Sequence, residues 1–162
     1  MRKLIAPLLI AVVAAFSAPA ALADADDDRG QSRCVNVTFT GQTQLNFANG
    51  RIEGTLTGRA GRNPISIFSS TAILEQTVRG SATFIKTTHD FTVVGGEHDG
   101  KQMTTLDNAV AVETSTPGVS HIVSHVRIVE GASGFLIGVG SLDFRGGITA
   151  TWRHIVGRIC GL

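Results

Sequence analysis

Tyrosine is absent from this sequence, tryptophan occurs once, cysteine twice and proline four times in 162 residues. Each shortage removes a class of protein. An outer-membrane barrel needs aromatic girdles at both lipid interfaces, and a single Trp with no Tyr does not furnish them. Charges in mid-strand, at Glu53, Glu75, Lys86, Glu113 and Arg127, also favour a barrel that meets water. The two cysteines, Cys34 and Cys160, have no CxxC spacing and no accompanying ligands, which argues against a redox-active or zinc-binding pair. Catalytic signatures are missing as well: there is no HExxH, no G-x-S-x-G elbow and no H-x-H followed by Glu. Asp26-Asp27-Asp28 lacks the alternating ligands, the Gly and the closing Glu of a calcium loop.

At the N-terminus, Arg2 and Lys3 precede the apolar run Leu4 to Ala15, and the stretch closes on Ala21-Leu22-Ala23. A basic start, a short apolar centre and a small-x-small end form an export signal that is cleaved rather than retained as an anchor. Cleavage after Ala23 leaves about 139 residues, the size of one domain. The signal takes Arg2 and Lys3 with it, so 14 basic residues become 12 against 13 acidic ones, a net charge of −1. A near-neutral chain offers no basic face for nucleic acid and no electrostatic attraction to an anionic membrane. The expected location is periplasmic or secreted, with residues 24–33 a disordered, acidic, apolar-poor leader and 34–162 one folded domain. Cys34 and Cys160 bracket that domain, and an oxidising compartment predicts a disulfide between them. Asn36-Val37-Thr38 matches a glycosylation sequon, meaningful only in a eukaryotic secretory pathway.

Beyond Val35 the chain has almost no helical periodicity. It breaks into Val-, Ile-, Thr- and Phe-rich runs that predict strands near Val35–Thr40, Arg51–Ala60, Ile65–Val78, Ser81–Val94, Gln102–Thr114, Val119–Val129, Gly134–Phe144 and Ile148–Ile159. Turn chemistry separates them, as at Ala48-Asn49-Gly50, Arg62-Asn63-Pro64 and Thr116-Pro117-Gly118. Long strands with short connections imply antiparallel, up-and-down pairing. The fold class is therefore all-β, an eight-stranded antiparallel up-and-down barrel with its ends linked by one disulfide. Both faces carry apolar residues, as in a barrel or sandwich with a partly covered outer face.

The stretch Ile128-Val129-Glu130-Gly131-Ala132-Ser133-Gly134-Phe135-Leu136-Ile137-Gly138-Val139-Gly140-Ser141-Leu142-Asp143-Phe144 places a Gly-rich turn before a late strand that ends in a G-x-L segment. With Thr88-His89-Asp90-Phe91, Thr104-Thr105-Leu106-Asp107 and Gly157-Arg158-Ile159-Cys160-Gly161, it resembles the barrel superfamily of allene oxide cyclase and the dirigent proteins, in an exported bacterial branch. The likeness spans most of the mature chain in strand order and short Gly-centred motifs in identity. It implies an eight-stranded barrel around an apolar cavity. In that superfamily the plant cyclase isomerises a fatty-acid epoxide and dirigent proteins steer radical coupling; none of their catalytic positions carries over to a residue here.

From the residues themselves, alternation puts Thr83, Ile85, Thr87, His89, Phe91 and Val93 on one face of the fourth strand, and Thr105, Asp107, Ala109, Ala111 and Glu113 on one face of the fifth. His89 and Asp107 are the candidate catalytic pair: a carboxylate bonded to imidazole in a partly apolar cavity can act as general acid or base. The alternative for both is a structural hydrogen bond near a turn. Phe91 and Trp152 are the candidate ligand contacts; Trp152 shares a face with His154 under strict alternation and suits the core as well. His121 and His125 fall on one face with Arg127, four residues apart, too widely spaced to hold a metal unaided. No metal and no cofactor is expected. Ser124 and His125 are adjacent and so point to opposite faces. Three functions remain open: a module holding a small apolar ligand, an isomerase or cyclase of the allene oxide cyclase type, and a structural or interaction module of the cell envelope. Oligomeric state is open too.

Overall fold

A computed structural model describes Arg33–Leu162. The export signal expected over residues 1–23 and, apart from Arg33, the leader expected over 24–33 lie outside the described residues. Eight strands follow in chain order: β1 Cys34–Asn46, β2 Arg51–Ala60, β3 Asn63–Arg79, β4 Ala82–Val94, β5 Gln102–Glu113, β6 Val119–Glu130, β7 Ser133–Asp143 and β8 Thr149–Cys160. Each pairs antiparallel with the next, and β1 pairs with β8, so the sheet closes into the up-and-down barrel that the strand pattern predicts. At the seam Cys34 is the register partner of Cys160, and the two form a disulfide across 126 residues of chain.

Closure sorts side chains by parity. In β6, Ser120, Ile122, Ser124, Val126 and Ile128 are buried inside, while His121, Val123, His125, Arg127 and Val129 are exposed outside. Register shifts interrupt the sheet at Ile73/Glu75, at Thr104/Thr105 and where β8 meets its two neighbours. β1 runs on to Asn46, beyond the expected end at Thr40, because Gly41 continues the strand instead of stopping it. It lies where the β1–β8 register shifts, and a Cβ there would come within 2.8 Å of the Thr55 carbonyl oxygen. In β8 the register passes from Val139↔His154 to Gly140↔Trp152, leaving Arg153 as an extra residue. This bulge corrects the expectation that Trp152 and His154 share a face: Trp152 turns inward and His154 stays exposed.

The two halves of the interior are filled differently. The end that carries the disulfide is packed with large residues, among them Phe39, Ile67, Phe91, Met103, Leu136 and Ile159. Burying each such side chain stabilises the fold by roughly 1.5–3 kcal/mol relative to exposure. The other end is lined by small ones: Ala109, Ala111 and Ala150 join Ile122 and Leu142 in the second cluster. Small side chains on the inner face of a barrel this size leave its mouth unfilled. β3 adds height on one side, since Ala72–Arg79 extends past its pairing with β2 and is bonded to β4 alone.

On the outside, Phe84, Val110, Val123 and Val139 are direct cross-strand neighbours and form an exposed apolar row over four strands. Among the described residues no helix is present.

Candidate functional site

The open half of the barrel encloses a cavity of about 540 Å³. Its walls are mostly apolar, from Ile52, Ile73, Ile85, Ile122, Leu142 and Trp152, with the three alanines between them. The Trp152 indole lies against Gly138 of β7, two residues along from its register partner Gly140; a Cβ at Gly138 would stand 2.9 Å from the indole Cζ3. The β5–β6 connection, Thr114 to Gly118, lies along the mouth. It is held by Thr114 Oγ1 donating to the Val119 carbonyl at 2.9 Å, and by the Phe144 N–H donating to the Gly118 carbonyl at 2.9 Å.

A polar layer divides the cavity from the packed half. Register builds it from four adjacent strands: Thr71 of β3 is opposite His89 of β4, and Thr87 of β4 is opposite Asp107 of β5. Ser124 of β6 is diagonal to Asp107, one pair further along the inner face. Ser124 Oγ donates to Asp107 Oδ2 at 2.6 Å, and Thr87 Oγ1 donates to the same oxygen at 3.2 Å. His89 Nε2 is 2.9 Å from it. A carboxylate only accepts, so Nε2 carries the proton. His89 Nδ1 lies 2.7 Å from Thr71 Oγ1, accepting from the hydroxyl in the neutral ring and donating to it in the imidazolium.

Both members of the pair are withdrawn from solvent, with side-chain exposures of 9% for His89 and 3% for Asp107. Three donors therefore converge on Oδ2, while Asp107 Oδ1, also buried, has no hydrogen-bond partner among the described residues. This arrangement is not a nucleophile triad. In such a triad the imidazole stands between serine and carboxylate and takes the serine's proton; here Asp107 stands between Ser124 and His89.

The structure thus brings His89 and Asp107 together on the floor of the cavity and puts Trp152 on its wall. Phe91 lies elsewhere. It packs under the polar layer, its ring 5.3 Å from that of His89, and borders a separate void of only about 20 Å³ that Trp152 also touches. His121 and His125 are on the outer face, and the described residues contain no group of three or more His, Cys, Asp or Glu placed to hold a metal ion. Glu113 follows the inward parity of β5 and lines the cavity rather than the outer surface. Sequence reasoning missed Thr71, Thr87 and Ser124 as partners of the pair. Thr87 shares the His89 face in the alternation, but only the register of three strand pairs brings Thr71 and Ser124 within reach.

On the outer face at the open end, two carboxylates are held below their usual range. Asn46, Asn49 and Ser70 donate to Glu53, lowering it from the ordinary 4.5. The Arg145 guanidinium and backbone N–H bring Asp143 down to about 2. Compared with protein-family profiles, curated proteins and solved structures, the chain matches none.

Proposed function

We propose that this chain is an exported barrel that holds one small, largely apolar molecule in its open half without transforming it. The observation that carries this reading is the cavity of about 540 Å³, walled mainly by aliphatic side chains and Trp152, with polar groups at floor and rim and at Thr43 and Ser120. That is the composition of small-molecule sites, in which a few polar groups orient an otherwise apolar ligand. Export is supported by the sequence of residues 1–23 and by the disulfide, a bond that persists in oxidising compartments. Lys86 and Arg127 on the outer face favour a barrel surrounded by water, since such charges are unfavourable against lipid. Native mass spectrometry of the mature protein from its own host, under gentle and then denaturing conditions, tests the reading. A discrete apolar species released on denaturation is the result expected; an empty barrel that also takes up no apolar compound overturns it.

A second reading rests on His89 and Asp107. An isomerase that relocates a proton within its substrate does so with no net gain or loss, and needs one group that takes a proton and returns it. A buried His–Asp pair on the cavity floor is suited to that, in keeping with the resemblance to allene oxide cyclase. Loss of turnover in Asp107→Asn with folding intact would support it, and an unchanged rate would remove it.

A further inference from the structure

The ionisable side chains that line the cavity are Asp107, Glu113 and His89; among the described residues no lysine or arginine lines it. The cations nearest the mouth are committed elsewhere. Arg145, whose Cγ abuts Gly118 at the rim, holds Asp143 through Nε at 3.0 Å and Nη2 at 2.6 Å. Arg79 lies over the Phe84 ring at 5.8 Å, and Arg51 is bonded to Asp90 and Ser70. Of the polar floor, both ring nitrogens of His89 are engaged, Nδ1 by Thr71 and Nε2 by Asp107. The hydroxyls of Thr87 and Ser124 are directed at Asp107 Oδ2. One polar atom is left without a partner, Asp107 Oδ1, and it is an acceptor.

We infer that the occupant of this cavity is an amphiphile whose polar head donates hydrogen bonds, an alcohol or a protonated amine, seated head-down on Asp107, and that carboxylate-headed lipids are rejected. The inference rests on the apolar-ligand reading above and names the ligand class for that same cavity. A buried acceptor left unpaired is destabilising, so a donor delivered to Oδ1 supplies what the floor lacks. Asp107 is among the residues that bound the cavity, so a head group seated on the floor is the partner open to Oδ1 while Oδ2 keeps its three donors. An acid head meets two carboxylates and no cation in a low-dielectric pocket, where like charges repel most strongly. His89 is here a positioning residue: it fixes the carboxylate through Oδ2 and leaves Oδ1 for the ligand.

The test uses Trp152 as its reporter, because it is the only tryptophan in a chain without tyrosine and lines the cavity. Decylammonium, decan-1-ol, decyl methyl ether and decanoate are titrated separately at pH 7.5 while its emission is followed. The ammonium and the alcohol are expected to bind roughly tenfold or more tightly than the ether and the decanoate, the margin of a hydrogen bond to a charged group. In Asp107→Asn, with folding checked by circular dichroism, the advantage of the ammonium over the decanoate is expected to shrink by at least about tenfold. Should that variant fail to fold, the head-group order on the unaltered chain decides alone. Decanoate binding as tightly as the alcohol overturns the donor-head assignment and leaves the apolar-ligand reading standing. No emission change with any of the four compounds overturns both.

Discussion

Removing the disulfide with Cys34→Ala and Cys160→Ala together isolates what closes the barrel from what fills it. The bond links residues 126 positions apart. In the chain-entropy description a loop of that length withholds about 5 kcal/mol of freedom from the unfolded chain. For a domain of this size 1 kcal/mol moves the melting temperature by about 4 °C, so the double variant should melt about 15–20 °C lower. The assay is thermal and urea unfolding of both forms, with mass spectrometry confirming oxidation of the parent. The cysteines sit at the packed end, with β1 and β8 still paired from Val35↔Ile159 to Gln44↔Thr149. The cavity at the opposite end should therefore bind its ligand unchanged below the melting transition. A loss under about 1 kcal/mol would refute the chain-entropy argument, and a lost cavity would refute the independence of the two ends.

Other perturbations reach the site itself. Gly138→Ala drives a methyl group to 2.9 Å from the Trp152 indole; overpacking of this kind costs about 1–3 kcal/mol, and a shifted Trp152 emission maximum in the folded protein should accompany it. His89→Ala removes the bonds to Thr71 and Asp107 and leaves a buried carboxylate with fewer donors, a loss of roughly 2–4 kcal/mol measured by urea unfolding. Acid should weaken the outer face in a defined window. Glu53 and Asp143 both lie below their ordinary values; a lowered carboxylate contributes stability above its unfolded pKa and loses it as pH falls through the folded one. NMR titration should place the Glu53 midpoint under 4.5 and that of Asp143 at about 2, with Asn49→Ala moving Glu53 upward.

Strand order and most strand limits were legible because Gly, Pro and Asn punctuate β-rich runs, as at Ala48-Asn49-Gly50 before β2. The inner faces of β4 and β5 could be read from alternation alone, which is why His89 and Asp107 stood out together. Two features escaped for opposite reasons. Gly41 looks like a terminator but is required by close approach to β2, and the β8 bulge at Arg153 leaves no residue signature, so the phase of Trp152 against His154 was misread. Nor does parity say which rung each residue occupies. His89, Thr71 and Ser124 meet Asp107 through three registers that depend on turn geometry and barrel closure. Phe91 illustrates the limit: it has the right face and the wrong depth, because the large side chains of the disulfide end fill the lumen around it.

Occupancy of the open half is tested most directly by titrating an apolar, alcohol-headed ligand against Trp152 emission in the parent chain and in Ala109→Leu with Ala111→Phe. Those two alanines keep the wall of the cavity thin. Saturable one-to-one binding by the parent, weakened at least about tenfold when the alanines are filled with the fold intact, is the result the account requires. Equal binding by both proteins would place the ligand elsewhere, on the exposed row of Phe84, Val110, Val123 and Val139, and would contradict it.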